Sequence, residues 1–308
     1  MKKGIWYAFG AYALWGLFPI YWKWLKQVPA IQLIGHRIVW SFILLLFVIF
    51  VTNKWTRFRA LLNRRVLAIH IFSSALLSVN WLVYVWGVNA GFVVETSLGY
   101  FINPLLSVML GVIFLRERLR TWQWLPIGIA FVGVVYLTWA YGSLPWIALS
   151  LALSFGFYGL VKKTAPLGSL LGLTLETGLA FIPALGYLIF AEISGNGTFG
   201  HVGIRADLLM IGAGLVTTIP LLMFASAAQR IPLTMIGIMQ YIAPTLQFLI
   251  GVLVYKELFT PTKLIGFSMI WFALIIFWME GVWVHRRQNL ESNEKVRVKE
   301  LDSQDVAG

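Results

Sequence analysis

Residues 95–119 (ETSLGYFINPLLSVMLGVIFLRERL) and residues 235–259 (MIGIMQYIAPTLQFLIGVLVYKELF) are two versions of one apolar helix. A proline, a glycine and a terminal pair of a basic residue and a glutamate keep the same spacing in both, 140 positions apart. The same offset aligns residues 15–18 (WGLF) with residues 155–158 (FGFY). A self-match this long in an apolar sequence indicates a duplicated transmembrane unit.

The composition of the chain indicates whether it folds in water or in a lipid bilayer. Its 308 residues are 59% hydrophobic and only 12% charged, whereas an ordinary soluble domain carries about 25% charged residues. We therefore expect a multi-pass protein in a lipid bilayer. The net charge of +12 is explained by Lys and Arg in cytoplasmic loops near anionic lipid, so no nucleic-acid partner is expected. The chain has no cysteine, and we expect no metal and no cofactor.

Ten segments are long and apolar enough to cross a bilayer, which takes roughly 20 residues. They are residues 4–22, 32–52, 68–89, 95–115, 122–140, 144–161, 169–191, 207–228, 233–254 and 264–284. The first segment contains bulky residues and no small-residue cleavage site follows it, so we interpret it as a retained span rather than a signal peptide.

Basic residues are concentrated in alternate loops of the first half. Those between spans two and three are Lys54, Arg57, Arg59, Arg64 and Arg65, and those between spans four and five are Arg116, Arg118 and Arg120. The loops between spans three and four and between spans five and six have no Lys or Arg, which places both termini in the cytoplasm. Five spans per repeat is an odd number, so the second copy is inverted in the membrane.

The sequence therefore predicts an all-α membrane protein of ten transmembrane helices, arranged as two inverted five-helix repeats. The repeats are residues 1–142 and 143–286, and both termini are cytoplasmic. Residues 287–308 are polar and mixed in charge, and we expect them to form a cytoplasmic tail.

Several motifs are shared with a known group of transporters. They are GLFP at 16–19, GHRI at 35–38, WS at 40–41, NW at 80–81, YVW at 84–86 and ETSLGYFINP at 95–104. With the duplicated block they make the chain, over residues 1–285, resemble the RarD subgroup of the EamA family in the drug/metabolite transporter superfamily. The resemblance implies a ten-helix inner-membrane transporter, coupled to protons or to exchange, from a subgroup named for chloramphenicol sensitivity.

A few ionisable residues lie well inside predicted spans, where burying a charge costs about 2.5–3.5 kcal/mol. They are His36 and Arg37 in span two, and Glu176, 140 positions after His36, in span seven. Each is about 10 Å below its own face of the membrane, which argues against a salt bridge between them. We expect His36 and Arg37 to face an outer vestibule and Glu176 an inner one, with Glu176 or His36 binding a coupling proton. The alternative is snorkelling to the nearest interface.

The matched prolines supply a second kind of candidate. Proline leaves the carbonyl four residues earlier without a donor, so Pro104 frees that of Tyr100 and Pro244 that of Gln240. Such groups are tolerated at membrane depth where they face protein or a wet cavity. The predicted lining residues are Tyr100, Asn103, Gln240 and Tyr241. The alternative is a structural kink that neighbouring side chains compensate.

The ends of the duplicated helices contain small and acidic residues. Gly111 and Gly251 lie two turns beyond the prolines, and we expect them to allow close helix packing. Glu117 and Glu257 each follow a basic residue. We expect these glutamates to pair with cations at the membrane interface.

Aromatic and amide side chains suggest a binding cavity. Asn80, Trp81 and Tyr84 share one face of span three, and Trp15 and Tyr12 share one face of span one. Aromatic rings with a few polar groups suit a small amphipathic organic molecule. The alternative for these rings is core packing, or, for tryptophans near span ends, the interfacial belt.

These observations predict a secondary active transporter that moves a small organic metabolite or drug across the bacterial inner membrane by alternating access. Proton coupling and exchange are both open. A channel-like facilitator is one alternative, although nothing resembles a selectivity filter. A membrane-embedded enzyme is a weaker one, because the sequence has no H-E-x-x-H motif, nucleophile elbow or paired intramembrane carboxylates. The sequence does not fix the substrate, the direction of transport or the oligomeric state.

Overall fold

The structure is a computed structural model that describes residues 2–90, 92–142, 144–256, 261–262, 264–281 and 283. Glu257 and the predicted tail 287–308 lie outside the described residues. Within the described ranges all regular structure is helical and there is no strand. This agrees with the all-α prediction.

The helices are α1 (Lys2–Lys23), α2 (Ala30–Val51), α3 (Trp55–Leu61), α4 (Arg64–Asn89), α5 (Val93–Leu115), α6 (Trp124–Tyr141), α7 (Trp146–Thr164), α8 (Ser169–Ile193), α9 (Ile204–Ala228), α10 (Leu233–Met239), α11 (Ile242–Leu249) and α12 (Leu264–Gly281). A 3₁₀ turn precedes α6, and a π-helical turn, Ile250–Val254, extends α11.

Helices occupy all ten predicted segments. In the described part of the chain, eight of these segments form helices long and apolar enough to cross a membrane, with α10, α11 and the π turn counted as one. The other two helices, α1 and α7, have 22 and 19 residues and are less apolar, since α1 is rich in Trp, Tyr and Gly and α7 ends in two lysines.

The duplication of the sequence is visible in the helix boundaries. Helices α4 and α9 begin at Arg64 and Ile204, 140 positions apart, and α5 and α10 begin at Val93 and Leu233, at the same separation. The long helices of the duplicated block also end alike, because Arg116 (φ 54°) and Lys256 (φ 52°) are both left-handed. The two copies therefore end on the same backbone conformation, although neither residue is a glycine.

The matched prolines have different structural consequences. Helix α5 continues through Pro104, whereas the second copy is interrupted, with α10 ending at Met239 and α11 beginning at Ile242. Pro244 lacks an amide hydrogen, and its ring crowds the carbonyl four residues earlier, so the interruption falls where that effect is expected. The helix is thus interrupted near the proline in only one copy.

The chain forms two compact units. The first comprises Met1–Glu117 and Tyr141–Phe259, and the second Arg118–Ala140 and Thr260–Gly308. In the second unit α6 packs on α12 at Gly266, where an added Cβ would lie 2.5 Å from the Leu137 side chain. Such a close approach is typical of small residues between membrane helices.

The core of the first unit is aromatic. Tyr158 and Phe224 stack with their ring centroids 5.9 Å apart, and Tyr12 meets Phe224 edge to face at 6.3 Å. All three side chains are at most 1% exposed. Large apolar residues such as Phe47 and Ile113 instead point away from the protein, as expected for helices that face lipid tails.

Candidate functional site

A cavity of about 300 Å³ lies among the helices of the first unit. It is lined by Tyr12, Trp15, Phe18, Pro19, Trp22, Arg37, Asn80, Trp81, Tyr84, Thr96, Gly99, Tyr100, Asn103, Leu151, Phe155, Thr217, Leu221, Gln240, Ala243, Pro244 and Gln247. The lining is largely aromatic and apolar, with a few amides and hydroxyls. Its size is at the lower end of small-molecule sites, which span about 300–1,000 Å³.

Eight of the eleven site residues predicted from the sequence line this cavity. They are Trp15, Arg37, Asn80, Trp81, Tyr84, Tyr100, Asn103 and Gln240. The other three, His36, Glu176 and Tyr241, are outside the lining. The aromatic stripes and the proline-linked positions of both copies therefore converge on one space.

Arg37 is the charged side chain of the lining. Its Nε donates a 2.9 Å hydrogen bond to Thr217 Oγ1, and its guanidinium carbon lies 4.9 and 4.8 Å from the ring centroids of Trp22 and Trp81. Contact with two indole rings offsets part of the cost of desolvating the cation. Among the described lining residues there is no carboxylate to neutralise it.

Two of the amides are engaged with neighbouring helices. The Asn80 amide donates to the Leu151 carbonyl at 2.9 Å and to Ser154 Oγ at 3.0 Å. Ser107 Oγ donates to Gln240 Oε1 at 3.4 Å. These contacts satisfy the partner requirement of a polar group in an apolar span.

Two other polar atoms of the lining are buried without a hydrogen-bond partner in the described structure. They are Asn103 Oδ1 and the Tyr12 hydroxyl, on side chains that are 5% and 1% exposed. A buried acceptor without a donor costs about 1–3 kcal/mol. Both side chains line the cavity, although the two unpaired atoms themselves are buried in this conformation.

The two ends of the cavity differ in exposure. Tyr84 and Tyr100, with ring centroids 5.9 Å apart, are each 37% exposed. At the other end Trp15 contacts Phe155 and Phe224, with centroids 5.8 and 5.7 Å away. The cavity is thus partly open, and packed rings close it on the side of Trp15.

The structure places His36 and Tyr241 against protein. His36 is 6% exposed, and its ring lies 5.2 Å from that of Phe199. The Tyr241 hydroxyl donates to the Phe101 carbonyl at 3.2 Å. The prediction that Tyr241 lines the cavity is therefore wrong, because the helix interruption at residues 240–241 directs this side chain to α5.

Glu176 lies in a buried ionic cluster. Both carboxylate oxygens accept hydrogen bonds from Lys162 Nζ at 2.9 Å. His70 Nδ1 lies 2.9 Å from Oε1, and the Tyr158 hydroxyl donates to Oε2 at 3.4 Å. All four side chains are at most 1% exposed. In this conformation Glu176 therefore faces protein, and its exposure to an inner vestibule in another access state stays a prediction.

Lys162 and His70 are the partners that sequence reasoning missed. The pair Lys162–Lys163 reads as part of a basic loop, but α7 continues to Thr164 and turns Lys162 inward. Lys163 Nζ donates instead to the Ile231 carbonyl at 2.6 Å. The available signal was local, since Lys162 is one helical turn after Tyr158 and shares its face.

Glu117 joins α5 to the start of α10. Its two carboxylate oxygens accept hydrogen bonds from the backbone N–H groups of Leu233 and Thr234, at 2.7 and 2.8 Å. A carboxylate at a helix N-terminus satisfies free donors and complements the helix dipole. An added Cβ on Gly111 would lie 3.1 Å from Thr234 N. The close packing predicted for Gly111 is confirmed, whereas Glu117 binds backbone amides rather than a neighbouring cation.

The cavity and the ionic cluster lie at opposite ends of the same helices. Helix α4 contributes His70 near its beginning to the cluster and Tyr84 near its end to the cavity. Fourteen residues of helix separate them, which corresponds to roughly 20 Å. The first unit therefore has an open cavity at one end and buried, paired charges at the other.

Comparison with known proteins identifies relatives over almost the full chain. The sequence model of the EamA-like transporter family matches residues 2–139. Protein RarD of Streptomyces exfoliatus is 44% identical, covering 93% of this chain and 91% of its own. The uncharacterized transporter YojE of Bacillus subtilis is 46% identical, covering 90% and 93%. A protein of Pseudomonas aeruginosa named chloramphenicol-sensitive protein RarD is 26% identical, covering 93% and 97%.

The fold also has a counterpart among solved structures. A crystal structure with 15% sequence identity superposes with a TM-score of 0.66, covering 89% of this chain and 96% of the other. At that identity the likeness shows the fold alone. The relatives of higher identity carry the assignment, and by them the chain belongs to the RarD group of the EamA-like transporter family, a group of multi-pass membrane transporters of the drug/metabolite type.

Proposed function

We propose that this protein is a secondary active transporter that moves a small organic metabolite or drug across the bacterial inner membrane by alternating access. The observation that carries the proposal is the cavity lined by Arg37 and aromatic rings, partly open and closed by packed rings on the side of Trp15. A carrier needs a substrate site that is reached from one side at a time. Naming of the relatives as transporters supports this reading over an enzyme.

The proposed topology is ten spans in two inverted five-helix repeats, residues 1–142 and 143–286, with both termini and the tail 287–308 in the cytoplasm. Loop charges support it, as do helix starts that recur 140 positions apart. With this orientation Arg37 lies near the outer face and Glu176 near the cytoplasmic face. The conformation is then outward-open, with the Glu176 cluster and the Glu117 contact closing the cytoplasmic end.

The test is exchange across a membrane. The purified protein is reconstituted in liposomes, and unlabelled organic compounds are screened for stimulation of counterflow. A carrier gives saturable uptake that substrate on the opposite side accelerates, whereas a channel-like facilitator gives neither. Flux without saturation and without stimulation overturns the proposal.

Arg37 gives this experiment a site-specific control. We expect Arg37→Gln to lower exchange at least about tenfold, because one lost charged hydrogen bond corresponds to about 1.5–3 kcal/mol. Lys23→Gln removes a positive charge from the same end of the unit, where Lys23 lies 3.4 Å from the Tyr255 ring centroid and outside the lining. The control variant keeps wild-type exchange.

Proton coupling is a separate part of the proposal. Glu176 faces three titratable groups, His70, Lys162 and Tyr158, and its protonation would remove the ion pair that links α7 to α8. Exchange by wild type and Glu176→Gln is compared over a range of pH. A variant that folds and keeps the full pH dependence excludes Glu176 as the coupling residue, and His36→Gln is then tested in the same way.

A further inference from the structure

The charges around the cavity limit the charge of its ligand. The described lining contains one side chain with a full charge, Arg37, and no carboxylate. Arg37 is half-buried. A partly desolvated cation without a counter-ion is costly, and a ligand that supplies the counter-ion recovers part of that cost. A ligand with one negative charge neutralises the site, whereas a dianion leaves an excess buried charge. Neutral ligands leave Arg37 unpaired, and zwitterions introduce an ammonium group for which the lining has no acidic partner.

The hydrogen bonding of Arg37 indicates which anion fits. Thr217 occupies Nε, and the rings of Trp22 and Trp81 contact the guanidinium carbon. In the described structure no protein acceptor is bonded to the terminal nitrogens Nη1 and Nη2. These nitrogens form part of a planar fork whose spacing matches the two oxygens of a carboxylate.

Asn103 adds a second requirement. The Asn103 side chain lines the cavity, and its Oδ1 is buried without a donor in the described structure. A ligand with an amide N–H or a hydroxyl supplies that donor when the terminal amide turns toward the cavity, which removes the penalty of the unpaired acceptor. The Tyr12 hydroxyl is in the same situation and can assist. The remaining lining is mainly aromatic and favours an apolar body.

We infer that the substrate is an organic monocarboxylate of net charge −1 that also carries a neutral hydrogen-bond donor. Its carboxylate binds Arg37, its donor binds Asn103 Oδ1, and its apolar body packs on the aromatic rings of the lining. The inference rests on the proposed function, since it assumes that this cavity is the transport site. By this inference, neutral drugs, including uncharged amphenicols, bind the cavity weakly.

Four probe compounds that share a phenyl ring differ in their net charge or in their hydrogen-bond donor. N-acetylphenylalanine is the monoanion with an amide donor, phenylalanine is the zwitterion, and N-acetylphenylalaninamide is neutral. 3-Phenylpropanoate is a monoanion without a donor. Their binding to the purified full-length protein in detergent is measured by isothermal titration calorimetry.

We expect N-acetylphenylalanine to bind at least about tenfold more tightly than the zwitterion and the neutral amide, as a charged hydrogen bond implies. We expect 3-phenylpropanoate to bind about two- to tenfold more weakly than N-acetylphenylalanine, as one neutral hydrogen bond implies. No binding of N-acetylphenylalanine, equal binding of all four probes, or a preference for the zwitterion or the neutral amide overturns the inference.

Variants assign the two contacts. Arg37→Gln abolishes the preference for the monoanion, and Lys23→Gln preserves it. Asn103→Leu abolishes only the difference between N-acetylphenylalanine and 3-phenylpropanoate. Thr217→Val keeps the charge but removes the hydrogen bond that orients Arg37, so it weakens binding without abolishing charge preference. Unchanged preference in folded Arg37→Gln overturns the assignment, and Thr217→Val supplies the test if Arg37→Gln does not fold.

The outcomes distinguish this inference from the proposed function. Saturable exchange of the neutral or zwitterionic probe that does not depend on Arg37 overturns the monocarboxylate inference and keeps the carrier. Binding that selects the monoanion, without exchange of it in liposomes, keeps the ligand class and overturns the carrier.

Discussion

The two ends of the first unit differ in whether their charged side chains have partners of opposite charge. At the closed end, Glu176 contacts Lys162, His70 and Tyr158, and all are at most 1% exposed. At the cavity end, Arg37 has a threonine and two indole rings around it, and no carboxylate in the described lining. A compensated ion cluster stabilises one arrangement of helices, whereas an uncompensated cation can gain a partner from outside. We therefore interpret the Glu176 cluster as structural and Arg37 as a binding residue.

The largest expected loss of stability comes from removing a charge from the ion cluster at the closed end. Glu176→Gln removes the carboxylate and leaves the Lys162 charge buried without a partner, which costs about 3–5 kcal/mol of the free energy of unfolding. The measurement is an unfolding titration in detergent. Glu192→Gln is the matched control, because its pair with His201 is more than half exposed and is worth about 0–1 kcal/mol.

Arg37→Gln sharpens the same comparison. It also replaces a charge with an amide, but it leaves no opposite charge behind, so we expect the free energy of unfolding to stay within about 1 kcal/mol of wild type. A loss as large as that of Glu176→Gln would mean that the two ends do not differ in the way described.

A smaller effect is expected at the other contact of the closed end. Glu117→Ala leaves the N–H groups of Leu233 and Thr234 without their acceptors, and we expect a loss of about 1–2 kcal/mol. Thermal unfolding in detergent measures it. Arg118→Ala is the control, since Arg118 is the next residue along the chain and its side chain is exposed. Equal stability of the two variants would mean that the Glu117 contact does not stabilise the closed end.

A single neutral hydrogen bond should contribute less again. Tyr241→Phe keeps the ring and removes only the donor to the Phe101 carbonyl, for an expected loss of about 1 kcal/mol. Tyr7→Phe, at a ring that is 37% exposed, is the control and should match wild type. A Tyr241→Phe protein as stable as that control would contradict the structural role given to Tyr241.

The smallest effect is expected outside the membrane helices. The Glu192 carboxylate accepts a hydrogen bond from His201 Nε2, and this bond raises the pKa of the exposed His201 above its ordinary value. A raised folded-state pKa gives stability that is complete below the unfolded pKa, about 6.5, and is lost as the pH rises through the folded value. The difference in Tm between wild type and His201→Gln should be present near pH 5.5 and vanish near pH 8.5. A difference that grows with pH would contradict this pairing.

Sequence patterns predicted features that depend on local spacing. Helix positions followed from the length of apolar segments, and the lining role of Trp15, Asn80, Trp81 and Tyr84 followed from helical stripes. The tight packing of Gly111 followed from its place in the duplicated block.

Contacts between distant helices were not predictable in this way. Arg37 and Thr217 are 180 positions apart, and His70 and Glu176 are 106 apart, so no spacing rule connects them. The offset of 140 was also misleading for His36 and Glu176, because matched positions in the two copies have different neighbours. His36 stacks near Phe199, whereas Glu176 pairs with Lys162.

The most direct test of the contrast between the two ends is their accessibility to a water-soluble reagent. The chain has no native cysteine, so single cysteine substitutions can be labelled without background. Tyr84 borders the cavity and is 37% exposed, and Ala227 is 0% exposed in the core of the closed end. With a membrane-impermeant maleimide, Tyr84→Cys should react and Ala227→Cys should not, and adding Glu176→Gln should make Ala227→Cys reactive. Labelling of Ala227→Cys but not Tyr84→Cys with the cluster intact, or no response of Ala227→Cys to Glu176→Gln, would contradict the account.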